Sequence, residues 1–235
     1  MFNLQKYIPN IINLKGIILE ETIETIKMVA VAGLIAFVIG LFLAIALVLF
    51  REKGLMPNKI IFRFIDGVVN LFRSIPFVIL LFALFRLTRL IVGTTLGFAG
   101  AIVPLVFSTA PFYARQIESA LLEVDDGVIE AAISMGCSNL EIIFKVYLRE
   151  GLAGIIRAIT ITLISLLSLT TMVGAIAGGG IGDLALMYGH RRNMLDITYL
   201  SVVIILVMVY VIQGSGELLI KNLKKGESEN EKISD

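Results

Sequence analysis

Cysteine is almost missing from this 235-residue chain. Cys137 stands alone, so no intrachain disulfide and no cysteine-rich metal site can form. It is expected to be a small packing residue. Histidine is as scarce. His190 is the single one, beside Arg191 and Arg192, and one imidazole cannot build a zinc site. A solvated loop is expected there. Charge is the third scarcity: 17% of residues are charged against 57% hydrophobic, where a soluble domain carries about a quarter. No long basic run offers a surface for nucleic acid. No Gly-Lys-Ser/Thr follows the glycines at 178–182, so no phosphate-binding loop and no ATP hydrolysis by this chain are expected.

What is present in quantity is uncharged apolar sequence. Met28 to Phe50, Leu90 to Ala114, Ala158 to Gly182 and Ile197 to Gly216 hold no charge at all. Each is long enough for the roughly 20 residues that cross a bilayer as helix. Gly67 to Phe85 is apolar apart from Arg73 and contains Pro76. Five transmembrane helices in one domain are therefore predicted. Glu20, Glu21 and Glu24 precede the first run, which is too long for a signal-peptide core. That run is expected to remain as helix one.

Lysine and arginine set the orientation. With the loop between spans three and four in the cytoplasm, Arg51, Lys53, Lys59, Arg63, Arg115, Lys145, Arg149, Arg157, Lys221, Lys224, Lys225 and Lys232 fall inside. Lys6, Lys15, Arg86, Arg89, Arg191 and Arg192 fall outside, with Lys27 at the border. The N-terminus is then outside and the C-terminus inside. Three regions follow: an N-terminal extracytoplasmic or interfacial segment at 1–21, a membrane domain at 22–220 and a polar tail at 221–235, the last expected to be disordered.

Ala32, Ala36, Gly40 and Ala44 recur every fourth residue in helix one, a pattern that lets another helix approach closely. Gly93, Gly97 and Ala101, and Gly174, Gly178 and Gly182, repeat it, and intramolecular packing is the expected use. Lys59 to Phe72 is amphipathic and is expected to run along the inner interface into span two. Pro76 should kink that span, and Pro104 and Pro111 should break span three. Broken helices with polar residues at depth suggest a pathway rather than an anchor.

One polar stretch between two spans stands apart: Asp125-Asp126-Gly127-Val128-Ile129-Glu130-Ala131-Ala132-Ile133-Ser134-Met135-Gly136. Asp125 or Asp126 can cap a short helix. Ile129, Ala132, Ile133 and Gly136 follow one face, Glu130 and Ser134 another. Gly136 suits a left-handed helix end. Ser138-Asn139-Leu140-Glu141 reads as a capping box that opens a second helix. Two capped helices at a sharp turn make a projecting knob, and small Ala131 and Ala132 leave room for a partner.

Glu130-Ala131-Ala132, three residues, Gly136, nine residues and Val146-x-Leu148 closely resemble the EAA signature of ABC importer permeases. Val146 replaces the usual isoleucine and Arg149 the usual proline, which should leave a straighter helix into span four. Asn70-Leu71-Phe72-Arg73-Ser74-Ile75-Pro76-Phe77, Ala101-Ile102-Val103-Pro104-Leu105, Ala110-Pro111-Phe112-x-Ala114-Arg115 and Gly178-Gly179-Gly180-Ile181-Gly182 resemble the methionine-importer branch. The resemblance runs from about Thr22 to Lys221. It implies an all-α integral membrane fold of five spans with a cytoplasmic coupling helix between spans three and four, a type I ABC importer permease. It also implies a homodimer in the bacterial inner membrane, bound to two cytoplasmic ATPases and fed by an extracytoplasmic methionine-binding protein. ATP and magnesium would sit on the partner, and this chain would carry no cofactor. The coupling role falls on Ile129, Glu130, Ala131, Ala132, Ile133, Met135 and Gly136.

Other residues keep two readings. Gly180-Ile181-Gly182-Asp183 is similar to the GxGD box of intramembrane aspartyl proteases, yet that chemistry needs a second membrane carboxylate. Asp66, Asp125 and Asp126 lie at interfaces or in the loop, so close packing or a flexible turn is expected of these glycines. Arg73, Ser74, Pro76, Ser108, Pro111, Ser168 and Met172 are the candidates for a translocation pathway. Serine at depth also bonds to its own helix, and Met172 also suits ordinary packing. Arg86, Arg89, Arg191 and Arg192 suit an acidic binding protein or anchor the interface. A membrane enzyme would need a paired nucleophile, base or metal ligands, and a passive scaffold would need no capped knob.

Overall fold

The computed structural model describes residues 9–234, and every long element among them is helical. α1 is Pro9–Asn13 and α2 is Lys15–Phe50. α3, α4 and α5 are Lys59–Ser74, Phe77–Ala83 and Phe85–Val92, and α6 is Gly97–Leu122. α7 is Asp126–Ser134 and α8 is Asn139–Ile142, followed by a π-helical turn at Ile143–Tyr147 and a short α9 at Leu148–Glu150. α10 is Leu152–Ala177, α11 is Gly180–Asp183, a second π turn covers Leu184–His190, and α12 is Leu195–Ser234. Among the described residues four helices are long and apolar enough to cross a membrane: α2, α6, Leu152–Ile176 and Leu195–Leu223. The fifth candidate is the pair α3 and α4, which turn through 106° where they meet.

The chain divides into two compact units. One takes the chain up to Ile35 with Ile75–Thr109 and Leu163–Val211; the other takes Ala36–Ser74, Ala110–Thr162 and the chain from Ile212 onward. In the second unit a continuous apolar core runs from Ala36, Ala44 and Val48 of α2 through Tyr113, Ile117 and Leu121 of α6 to Ile129 and Ala132 of α7. The small stripe of α2 makes that approach possible. A Cβ on Gly40 would lie 2.9 Å from the Ala110 carbonyl oxygen and inside the Tyr113 side chain. The core residues Ala32, Ala36 and Ala44 are fully buried. This stripe therefore serves packing within the chain, as expected.

Several local expectations change. α2 starts at Lys15, so residues 15–27 continue helix one instead of forming a separate interfacial piece, and the boundary at 21 falls inside a helix. Residues 1–8, Lys6 among them, lie outside the described residues, as does Asp235. Pro104 and Pro111 do not break span three, because α6 is continuous through both. A proline costs one backbone bond, and neighbouring helices can hold the geometry. The strong break lies at Pro76 instead, where the preceding residue is driven out of the helical region. Gly93 and Gly97 are not packing residues. Their φ angles are 80° and 66° with open space at each Cβ position, so they are turn residues between α5 and α6. α12 runs on to Ser234, where disorder was expected. A helix already nucleated over a long apolar run is prolonged cheaply by lysine and glutamate. The start of α12 is tied down by Asp196, whose carboxylate accepts the Asn10 backbone N–H at 3.1 Å and the Asn10 amide at 2.9 Å.

Candidate docking site

The knob is built as its sequence dictates. Asp125 takes extended backbone at the N-cap, and its carboxylate accepts the Gly127 N–H at 2.6 Å. The helix ends in a Schellman arrangement. The Gly136 N–H donates to the Ile133 carbonyl at 2.9 Å, and the Cys137 N–H to the Ala132 carbonyl at 3.1 Å. Gly136 takes φ 80°, the left-handed value this motif needs. One residue past Cys137 the capping box begins. The Ser138 hydroxyl accepts the Glu141 N–H at 3.4 Å, and the Glu141 carboxylate accepts the Ser138 N–H at 3.0 Å. Lys145 donates to the same carboxylate at 2.9 Å. The Lys145 bond and the Ser138 bonds together hold the Glu141 carboxyl down at about 2. The two helix starts are thus satisfied by side chains and the intervening helix end by backbone N–H groups, all within a few residues, which fixes the turn locally.

Burial sorts the helix faces differently from periodicity alone. Ile129 (7% exposed) and Ala132 (4%) point into the core of their own unit. Ile133 and Met135 do not join them; both are exposed, Met135 at 77%. At 100° per residue, Ala131, Ser134 and Glu130 stand opposite the buried face. Val128 and Met135 flank that ridge on one side and Ile133 on the other. Ala131, not Ala132, is therefore the small residue exposed on the outward face. Cys137 is half-buried against the same core, in line with a packing role.

Two further exposed apolar side chains escaped the sequence reading: Leu140 (67%) and Phe144 (65%), just beyond the knob. Apolar residues at the outward positions of a short helix were the available signal. Val128, Ile133, Met135, Leu140 and Phe144 give this loop region five large exposed apolar side chains among Asp126, Glu130 and Lys145. Exposed apolar groups in number, rimmed by charge, mark an interaction surface. The run into span four is not one regular α-helix. The chain winds through the π turn at Ile143–Tyr147, and Gly151 separates α9 from α10. Arg149, in the usual proline position, is exposed on α9.

An ion-pair cluster lies in the same unit. The Arg115 guanidinium of α6 binds the Asp66 carboxylate of α3, donates to Asn70 at 3.0 Å and pairs with Glu118 at 2.7 Å. From the sequence Arg115 counted toward orientation and toward the family resemblance, not toward an ion pair. Asp66 and Asn70, one turn apart on α3, were the sign of a receptor for it.

The pathway candidates fall as follows. Ser168 and Met172 are exposed one turn apart on α10. Ser168 donates to the Ile164 carbonyl at 3.4 Å, and Thr170 and Thr171 also bond to their own helix. Ser74 is exposed and donates to the Asn70 carbonyl at 2.8 Å, and Arg73 and Pro76 are exposed as well. Ser108 is half-buried and Pro111 buried. Arg86, Arg89, Arg191 and Arg192 are all exposed, and Arg192 stacks 4.5 Å from the Tyr188 ring centre.

The chain is similar to known proteins over most of its length. A family model described as the binding-protein-dependent transport system inner membrane component matches residues 36–225. The chain is 44% identical over 207 residues to the probable D-methionine transport system permease protein MetI of Vibrio cholerae, covering 88% of this chain and 92% of that one. It is 46% identical over 180 residues to the methionine import system permease protein MetP of Bacillus subtilis, covering 76% and 81%. Its fold is similar to a solved structure of inward facing conformations of the MetNI methionine ABC transporter, in the CY5 native crystal form. The TM-score is 0.86 at 37% identity, over 95% of this chain and 99% of that chain. With the match running across the knob, its flanking spans and most of the remaining sequence, the chain belongs to the family of binding-protein-dependent transport system inner membrane components.

Proposed function

We propose that this chain is the permease subunit of an ATP-driven importer for methionine in the bacterial inner membrane. The observation that carries the reading is the doubly capped knob, which packs Ile129 and Ala132 into its own core while Val128, Ile133 and Met135 stay exposed. Such a surface suits a groove on a cytoplasmic ATPase. The chain would then work as a homodimer with two ATPases, receive substrate from an extracytoplasmic binding protein and have no catalytic site of its own. The N-terminus would lie outside and the C-terminus inside. ATP binding can shift the permease between inward- and outward-facing forms only if the ATPase holds the knob differently in each. Val128, Glu130, Ala131, Ile133, Ser134, Met135 and Gly136 form the contact in this reading, with Ile129 and Ala132 beneath it. The pathway candidates and the exposed arginines keep the roles given them from the sequence.

Methionine as cargo is supported by similarity to methionine permeases over most of the chain. The test is uptake of labelled methionine by proteoliposomes holding the permease, its ATPase and its binding protein. Uptake should require ATP and fall when unlabelled methionine is in excess. Competition by another polar amino acid, with methionine inert, would change the cargo. A permease that fails to co-purify with an ATPase would overturn the importer reading.

A further inference from the structure

Three consecutive glycines in the left-handed region form the turn after α10: Gly178, Gly179 and Gly180 at φ 84°, 94° and 79°. An ordinary side chain resists that backbone at each of these positions. The turn also leaves no room for one at the last two. A Cβ on Gly179 would meet the Glu24 carboxylate carbon at 2.8 Å, and one on Gly180 would meet the Thr25 hydroxyl oxygen at 2.6 Å. The backbone thus lies directly against one turn of α2, within a single unit of the chain.

Two acceptors on that turn hold it. The Glu21 carboxylate accepts the Gly180 N–H, and the Thr25 hydroxyl accepts the Ile181 N–H at 2.8 Å while donating to the Glu21 carbonyl at 3.1 Å. Thr25 and Ile181 are almost fully buried. The two N–H groups open a helical turn, so they have no partner in their own helix. Glu21 and Thr25 satisfy them across more than 150 residues of sequence.

The contact is suited to opening. A charge-assisted bond is strong while water is excluded. Yet the Glu21 carboxylate, the Thr25 hydroxyl and the Gly180 and Ile181 amides are all hydrated when parted, so the net difference is small. The glycine turn has no side chains to unpack. A static staple would be built more simply from apolar contacts.

We propose that Glu21 and Thr25 latch the Gly178–Gly180 turn to the first helix, and that the latch opens once in each transport cycle. This rests on the importer reading above. The closed latch belongs to a form whose fold is similar to an inward-facing transporter. Glu21 and Thr25 are positioning residues, and they touch the cycle through the turn they hold.

The test uses the complete transporter in proteoliposomes, with Cys137→Ser removing the native thiol and Ile181→Cys placed under the latch. A membrane-impermeant maleimide should label this parent slowly without nucleotide. With binding protein and ATP under hydrolysis arrest it should label at least about five-fold faster, the factor matching one lost hydrogen bond. Adding E21A and T25V should give the fast rate without nucleotide and lower the substrate carried per ATP by a similar factor. E21Q keeps a neutral acceptor and should return both readouts toward the parent. A labelling rate in the parent that ATP does not change would overturn the latch. So would slow labelling of the E21A/T25V variant. If methionine proved not to be the cargo, the labelling difference would still stand and only the cargo reading would fall.

Discussion

Arginine placed at Ala131 and, separately, at Ala132 should part docking from folding at adjacent positions. Ala131 is exposed on the ridge opposite the buried face. Arginine is nearly as good a helix former as alanine, and exposed substitutions change stability by no more than about 0.5 kcal/mol. At the centre of a docking surface the same side chain should cost about 2 kcal/mol, or roughly a thirty-fold weaker ATPase complex. Ala132 is 4% exposed and lies in the core that holds Ile129 and Leu121. Its carbonyl also accepts the Cys137 N–H. An unpaired guanidinium there should cost more than about 4 kcal/mol and open the Schellman turn. The chain has no tryptophan, so intrinsic tryptophan fluorescence cannot follow the melt. A dye that fluoresces on reaction with thiol can, because Cys137 is half-buried against this core. The expected result is a wild-type melt with lost ATPase co-purification for Ala131→Arg, and an early-melting knob for Ala132→Arg. Full ATPase binding and coupled uptake by Ala131→Arg would refute the placement of the surface. A wild-type melt for Ala132→Arg would refute the placement of the core.

Gly136→Ala should destabilise the knob by about 1 kcal/mol, the left-handed penalty less the entropy lost from the unfolded chain, because its Cβ would meet nothing within 4 Å. Gly136→Asn should be milder, and the thiol-dye melt checks both. Arg115→Ala should cost about 2–3 kcal/mol by leaving Asp66 and Glu118 without their cation, a loss that a calorimetric scan of the purified permease would show. Asp66→Asn should cost less, since Asn70 and Glu118 still hold the guanidinium. The capping box should weaken in acid. The Glu141 carboxyl is held at about 2, below its ordinary 4.5, so its contribution is whole above about 4.5 and is lost as pH falls toward 2. The protection factor of the Ser138 amide, its exchange rate set against the intrinsic rate at the same pH, should fall across that window in the wild type, with the acid-dependent step absent from Glu141→Gln.

The knob was readable because its determinants are local. Asp125, Gly136 and the pair Ser138 and Glu141 act within a few residues of where they stand, and the structure uses each as its chemistry suggests. Which face points inward was not readable. Ile129, Ala132 and Ile133 share a periodic pattern, but only contact with α2 and α6 decides that the first two are core and the third is not. The spans were legible from hydrophobic length. The bend in span two was legible only as a kink, because proline fixes a break and not its angle. Glu21 read as a charge before a span, since the glycines it meets are 159 residues away. No spacing rule links a carboxylate to a backbone amide at that distance.

The π turn at Ile143–Tyr147 has a consequence for how this chain aligns with others. Such a turn is a one-residue insertion carried inside a helix. It shifts the angular phase of everything downstream by about 100°, so the face carrying Leu148 and Arg149 is set by the insertion as well as by the side chains themselves. A relative whose segment is regular α-helix needs no extra residue. The two would then differ in length by one, and a gap placed anywhere else would pair residues that face about 100° apart.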